Sequence, residues 1–131
     1  MKKKLTTLTI FFLVGISSVF SQKFYIEKTK NGFELPIIDK LVSKNYKITF
    51  KRDSANYIIK CIIGKSGLLG RVRGSVFIID NKSGDLLAKT KDVVGYPAIY
   101  NHYANPKMVA MKKIAKKYLI QLVEKHVKSR I

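Results

Sequence analysis

Two histidines and one cysteine are the side chains in this sequence best suited to chemistry. His102 and His126 are the only histidines; they do not have a metal-ligand spacing, and no cluster of acids or cysteines accompanies them. A hydrolytic triad would need one of them to meet a nucleophile and an acid in space, and no pattern marks such a meeting. We therefore predict no catalytic residues, no metal site and no cofactor.

The single cysteine, Cys61, excludes an intramolecular disulfide. It lies in an apolar strand pattern, where a lone cysteine usually behaves as a small hydrophobe. We therefore expect its side chain to be buried. A reactive or intermolecular thiol is the alternative interpretation.

The segment Gly64-Lys65-Ser66 resembles the end of a phosphate-binding loop. The complete pattern G-x-x-x-x-G-K-[ST] would require glycine at position 59, where the chain has Ile59. No helix signal follows the segment. We predict a turn between strands here, and no nucleotide site.

The segment from Gly95 to Tyr103 is the part of the chain most like a contact surface. It contains three tyrosines and a histidine, Tyr96, Tyr100, His102 and Tyr103. A tyrosine joins an apolar ring to a polar tip and suits a binding surface. The alternative is that these rings fold back as a lid over the open edge of the sheet. We name the four residues as candidate surface-binding residues.

A second candidate surface is the basic helix near the C-terminus. Lys112, Lys113, Lys116 and Lys117 form its central cluster. Away from the predicted core stripe, on the side shared with Lys112, Lys113 and Lys116, the helix also carries Val109, Ile120, Val123 and Val127. Apolar residues among lysines suit an anionic membrane surface or a partner protein. In the alternative interpretation, the valines pack on the first helix and the lysines are only solvated.

These segments must be positioned by a short series of strands and helices. Alternating and continuous apolar runs predict strands at 23–29, 46–51, 57–63, 72–79 and 86–94, and apolar residues at helical spacing predict helices at 34–43 and 106–128. Asn105 is the predicted N-cap of the second helix, with Pro106 at its first position. The order β-α-β-β-β-β-α indicates a two-layer α+β fold. We expect a mainly antiparallel sheet of four to five strands with both helices on one face.

The N-terminus has the pattern of a secretory signal. Lys2, Lys3 and Lys4 precede an apolar run, 8–20, and small residues lead to a cleavage point before Gln22. The run is shorter than the roughly 20 apolar residues of a membrane span. An uncleaved anchor is the alternative. We expect residues 1–21 to be a cleaved signal peptide and residues 22–131 to be one domain, periplasmic or secreted and without a transmembrane segment.

The remaining domain is strongly basic. The formal charge of the chain is +18, and three of these charges belong to lysines of the predicted signal. Most of the basic residues are lysines, with only Arg52, Arg71, Arg73 and Arg130 as arginines. Arginine is the residue suited to bidentate phosphate and base recognition. The charge therefore favours attraction to anionic surfaces over specific binding of nucleic acid, and a genome rich in lysine codons would explain it equally well.

Two short motifs resemble those of a known family. Ala55-Asn56-Tyr57 begins one strand, and Asp80-Asn81-Lys82-Ser83-Gly84 forms a hairpin. This arrangement resembles the N-terminal domain of the periplasmic translocation protein TolB and related envelope domains of unknown function. In these domains an Ala-Asp-Tyr strand start and an Asp-x-x-[Ser/Thr]-Gly hairpin recur, and Asn56 departs from that pattern. The resemblance implies an α+β fold and an interaction role, and it brings no catalytic residues.

The sequence thus predicts a non-enzymatic binding or scaffolding domain of the cell envelope. Its expected partner is another envelope protein or an anionic surface such as lipid or lipopolysaccharide. The alternative is an uncharacterised small secreted hydrolase or an enzyme inhibitor. The sequence does not determine an oligomeric state.

Overall fold

The computed structural model describes residues 22–65, 70–96 and 105–127. The strands are β1 (Lys23–Ile26), β2 (Lys47–Ile48), β3 (Tyr57–Lys65), β4 (Val72–Asp80), β5 (Leu86–Lys89) and β6 (Val93–Gly95), and the helices are α1 (Leu35–Ser43), α2 (Pro106–Lys117) and α3 (Leu119–His126). A short 3₁₀ turn covers Arg52–Ser54. This arrangement confirms the predicted α+β class. The described residues form six strands, where four to five were predicted, and three α-helices, where two were predicted.

The sheet is mixed, with order β2-β1-β3-β4-β5, and β6 also pairs with β4. The pairings of β4 with β3, β5 and β6 are antiparallel, as predicted. The prediction did not include the parallel pairings of β1 with β2 and with β3. Parallel neighbours need a crossover connection, and α1 supplies it between β1 and β2.

One predicted strand, 86–94, is divided in two. Thr90 lies between β5 and β6; its hydroxyl accepts a hydrogen bond from the Val76 N–H at 2.9 Å. The Thr90 N–H in turn donates to the Val76 carbonyl at 2.9 Å. The threonine side chain thus replaces a backbone partner of β4 at this point. The interruption explains the additional strand.

The helices and one face of the sheet enclose a single apolar core. Its fully buried members include Phe24, Ile59, Ile78, Ile114 and Leu119. The three helices contribute to this core together with the strands, so the two-layer arrangement is confirmed. The opposite face of the sheet carries Ile62, whose residue surface is 38% exposed. Among the described residues, no helix covers that second face.

The long C-terminal helix predicted at 106–128 bends at Tyr118. The backbone of Tyr118 departs from helical geometry, with φ −120° and ψ −29°, and separates α2 from α3. Hydrogen bonds continue across the bend, because the Tyr118 N–H donates to the Ile114 carbonyl at 3.0 Å. The bend brings Leu119, Val123 and Val127 into the core. It therefore changes which face of the C-terminal segment is buried.

Candidate functional site

Tyr96 follows β6 directly and is exposed at the surface, with 41% of its residue surface accessible. Two cations lie over its ring. The Lys113 ammonium is 5.5 Å from the ring centroid and the Arg71 guanidinium carbon is 5.6 Å from it. Cation–π contacts of this length contribute about 0.5–1 kcal/mol at exposed sites. The structure thus brings together one member of the predicted tyrosine surface and one member of the predicted basic helix.

The other members of the predicted tyrosine surface, Tyr100, His102 and Tyr103, lie outside the described residues. The interpretation of that loop as a lid over the sheet edge falls on the same residues. His126 is described and lies at the C-terminal end of α3, where a helix dipole favours a cation. Within residues 22–65, 70–96 and 105–127, no group of three His, Cys, Asp or Glu side chains is placed to hold a metal ion.

The four lysines of the basic helix lie on the solvent side of α2. Lys112, Lys116 and Lys117 are exposed, and Lys113 is half-buried beside Tyr96. Asn105 caps the helix, because its side-chain oxygen accepts a hydrogen bond from the Lys107 N–H at 2.9 Å. The predicted start of this helix is therefore confirmed. We call Arg71, Tyr96 and the four lysines Lys112, Lys113, Lys116 and Lys117 the basic face.

No described carboxylate forms a salt bridge with the four lysines of the basic face. The salt bridges of the described chain join Asp92 to Arg73 at 3.9 Å and to Lys89 at 3.5 Å. Asp39 lies near the lysines, in an open groove of about 380 Å³ between α1 and α2 that Lys112 and Lys116 also line. Most of the positive charge on α2 is thus left for solvent or for a binding partner.

The four apolar residues expected near the lysines differ in their burial. Val123 is fully buried and Val127 is 2% exposed. Val109 and Ile120 are half-buried, and Ile120 packs against the core. The interpretation that Val123 and Val127 stand on the lysine surface is therefore wrong, because the bend at Tyr118 turns them inward. They pack in the core beneath the sheet.

The prediction of a turn at Gly64-Lys65-Ser66 is wrong for its first two residues. Gly64 and Lys65 are the last two residues of β3, paired with Arg73 and Val72 of β4. Ser66 lies outside the described residues. Two of the three residues that resemble a phosphate-binding loop therefore lie in a β-strand and pair with β4.

Cys61 lies in β3 and is half-buried, whereas the sequence predicted a buried side chain. It lies where β1 has already ended, so one side of β3 is uncovered there. Burial, and to a smaller extent Glu34 and Glu27, raises the pKa of the Cys61 thiol to about 12. The thiolate, which is the nucleophilic form, is therefore scarce at neutral pH.

We expect Cys61 to react slowly with iodoacetamide in the folded protein. A thiol with a pKa near 12 holds about a thousandfold less thiolate at pH 7.5 than one with the ordinary value of 9.0. The rate of alkylation, followed by intact mass, should rise steeply when denaturant is added. Equal rates in the native and unfolded protein would contradict the raised pKa and favour the reactive-thiol interpretation.

A feature that the sequence reasoning missed is a cleft beside Cys61. It has a volume of about 310 Å³ and is lined by Phe33, Cys61, Ile63 and four lysines, Lys28, Lys30, Lys60 and Lys107, among others. The four lysines come from three separate parts of the sequence, so no local pattern predicts that they line one cleft. The fold brings them together, because Lys28 and Lys30 follow β1, Lys60 lies in β3 and Lys107 lies in the first turn of α2.

Comparisons with known proteins give a fold likeness only. No protein-family model matches the chain, and no curated protein matches it. Among solved structures, a PelC dodecamer from Paraburkholderia phytofirmans has 17% identity and a TM-score of 0.48, covering 75% of this chain and 86% of that one. A minor lipoprotein from Acinetobacter baumannii has 12% identity and a TM-score of 0.47, covering 83% and 94%. A protein from Caulobacter crescentus CB15 described as a lipoprotein has 16% identity and a TM-score of 0.48, covering 82% and 92%.

These matches do not confirm the resemblance to the N-terminal domain of TolB. Within the part of the chain that the structure describes, no helix is both long enough and apolar enough to cross a membrane.

Proposed function

We propose that this chain is a non-enzymatic binding or scaffolding domain of the cell envelope, and that its basic face binds an anionic surface such as lipid headgroups or lipopolysaccharide. The observation that carries the proposal is the cluster Lys112, Lys113, Lys116 and Lys117 on one helix, with which no described carboxylate forms a salt bridge. Tyr96 adds an amphipathic ring beside Lys113 at the border of the cluster.

The residue types suit a diffuse anionic surface. Lysine ammonium groups act as point charges, without the planar fork that arginine offers to a single phosphate. Each lysine near an anionic membrane contributes about 1 kcal/mol to binding. The groove between α1 and α2 is open and shallow, so charge spread over the helix, and not enclosure of a small ligand, would provide the affinity.

We also propose that residues 1–21 direct export and are removed before Gln22. The basic start and the short apolar run support this proposal. Intact mass or N-terminal sequencing of protein recovered outside the cytoplasm should give Gln22 as the first residue. A mature form that retains residues 1–21 would contradict cleavage and support an anchor.

Binding to anionic vesicles tests the function of the basic face. We expect the domain to sediment with phosphatidylglycerol-containing vesicles at 0.01 M salt and to dissociate as salt rises to 0.1 M, since the Debye length falls from about 30 Å to about 10 Å. The double variant Lys113→Glu/Lys117→Glu should weaken binding at least tenfold, because it removes two attractive charges worth about 1 kcal/mol each and adds two repulsive ones. The same measurement with lipopolysaccharide compares the two anionic surfaces.

The matched control is Lys47→Glu/Lys82→Glu, which makes the same change in net charge at exposed positions outside α2. This control should retain most of the binding. If both double variants lose binding equally, the overall charge of the chain and not the basic face is responsible. If neither surface binds at low salt, the proposal fails, and a role confined to binding an envelope protein becomes the better interpretation.

A further inference from the structure

The inner strand β3 is longer than β1, the strand that pairs with it on one side. β1 pairs with β3 only from Phe24 opposite Tyr57 to Ile26 opposite Ile59. One more hydrogen bond follows, from the Glu27 N–H to the Ile59 carbonyl at 2.9 Å. β3 then continues to Lys65. In the described part of the chain, no strand lies beside the edge at 60–65, which we call the open edge.

The backbone groups of Cys61 and Ile63 point toward the open edge. Along a strand, the N–H and C=O groups of successive residues point to opposite sides. Ile59 uses its carbonyl toward β1, so the residues two and four positions later direct theirs to the same side. Exposed edge groups of this kind are a template for pairing with another chain.

A hydrogen-bonded turn keeps the chain that follows β1 away from the open edge. The Thr29 N–H and hydroxyl donate to Glu34 Oε2 at 3.2 and 2.7 Å, and the Phe33 N–H donates to the Thr29 hydroxyl at 2.7 Å. Burial alone would raise the pKa of Glu34, but these hydrogen bonds, with Lys28 nearby, lower it below its ordinary value. The turn leads directly into α1, so the same hydrogen bonds that hold the chain at the start of the helix also leave the open edge without a neighbouring strand from the described chain.

The cleft beside the open edge has both apolar and cationic walls. Phe33, Cys61 and Ile63 provide the apolar part, and the Lys107 ammonium lies 5.7 Å from the centroid of the Phe33 ring. Four lysines line the cleft, Lys28, Lys30, Lys60 and Lys107, whereas Glu27 is the one carboxylate among its lining residues. The charge therefore favours an acidic occupant. A second copy of this strongly basic chain would be repelled.

We propose that the open edge binds an extended, acidic segment of a partner protein, which adds a strand to the sheet next to β3. The backbone of that segment would hydrogen-bond with Cys61 and Ile63. Its side chains would alternate between the two faces of the sheet, so apolar ones would contact Phe33, Cys61 and Ile63, and acidic ones on the opposite face would meet Lys60. Lys107, which lies over the Phe33 ring, adds positive charge on the apolar side of the cleft. This site is separate from the basic face and goes beyond the proposed function.

A synthetic peptide tests the proposal on the intact domain, residues 22–131. The probe is a capped heptapeptide in which aspartate or glutamate alternates with valine. We expect saturable binding and slower hydrogen exchange at the amides of Cys61 and Ile63. Two further versions of the peptide carry N-methyl groups on alternate amides, one on the odd-numbered and one on the even-numbered residues; these are its two registers. The version whose methylated amides face β3 cannot donate hydrogen bonds to the open edge. It should therefore bind at least tenfold more weakly than the unmethylated peptide. A lysine–valine peptide of equal length should not bind.

Charge reversal locates the site. Lys60→Glu/Lys107→Glu should weaken binding of the acidic peptide at least tenfold. Lys113→Glu/Lys117→Glu makes the same change in net charge on the basic face and should leave the affinity within twofold. Equal binding of the N-methylated peptides in both registers would overturn strand addition. Equal loss in both double variants, or no binding of the acidic peptide to the wild-type domain, would overturn the site.

Discussion

Replacing Gly95 with alanine should strongly destabilise the domain. Gly95 ends β6 where the first turn of α2 passes over it, and a Cβ atom there would overlap the carbonyl oxygen of Pro106. The same Cβ would lie 3.3 Å from the Ala110 Cβ. Because the first obstacle is backbone, no side-chain rotation relieves it. We expect a loss of about 3 kcal/mol or more in the free energy of unfolding, at the upper end of overpacking effects.

Gly64→Ala is the matched control for this prediction. A Cβ at Gly64 would meet no atom within 4 Å. Urea unfolding followed by circular dichroism should therefore give nearly unchanged stability for this control and a much lower midpoint for Gly95→Ala. A cost below about 1 kcal/mol at Gly95 would show that α2 can move away from β6 easily, contrary to the close packing described above.

The same close approach positions the basic face. Tyr96 comes directly after Gly95, and Lys113 lies on the helix that Gly95 contacts. A helix pushed away from β6 would separate the Tyr96 ring from the Lys113 ammonium. Any Gly95→Ala protein that still folds should therefore also show altered tyrosine fluorescence.

Replacing Val123 with serine should destabilise the protein without acting on the binding surface. Val123 is fully buried in the core beneath the sheet. The substitution removes apolar contacts and places a hydroxyl in an apolar environment. We expect a loss of about 2–4 kcal/mol in the free energy of unfolding. Vesicle binding by the folded fraction should be unchanged, because the side chain does not reach the surface.

Gln121→Ser is the control on the same helix, since Gln121 is exposed and its replacement should cost within about 0.5 kcal/mol. Thermal unfolding of both variants gives the comparison. If Val123→Ser kept full stability and lost vesicle binding, Val123 would belong to the binding surface. That result would contradict the placement of its side chain in the core.

The sequence predicted the elements better than it predicted their pairing. Turn residues from Asp80 to Gly84 located the hairpin, in which the Gly84 N–H donates to the Asp80 carbonyl at 2.8 Å. The parallel pairings of β1 were not predicted, because an apolar run reports burial and not the direction of its neighbours. Helical spacing likewise could not show the bend at Tyr118. The bend places α3 in contact with β5, which is distant in sequence.

For the candidate sites, local clusters were visible in the sequence and distant ones were not. Lys112, Lys113, Lys116 and Lys117 lie within six consecutive residues of one predicted helix, so this cluster could be identified directly. The contact between Tyr96 and Lys113 depends on the packing of α2 against β6. The open edge was invisible because it arises from unequal lengths of β1 and β3. No residue type marks where one strand stops pairing with another.

The position of β1 has a consequence for how the chain acquires its structure as it emerges. β1 lies inside the sheet, yet both of its neighbours, β2 and β3, come later in the chain. The Lys23 N–H, for example, donates to the Asn56 side chain, 33 residues away. A chain that appears N-terminus first, from a ribosome or a translocation channel, therefore presents Phe24 and Ile26 long before their partners exist. Non-local pairing of this kind slows folding, and its delay leaves apolar strand surface open to a chaperone or to aggregation. Among the described strands, β1 is thus the first to emerge, although it lies inside the sheet and cannot pair until β2 and β3 have followed.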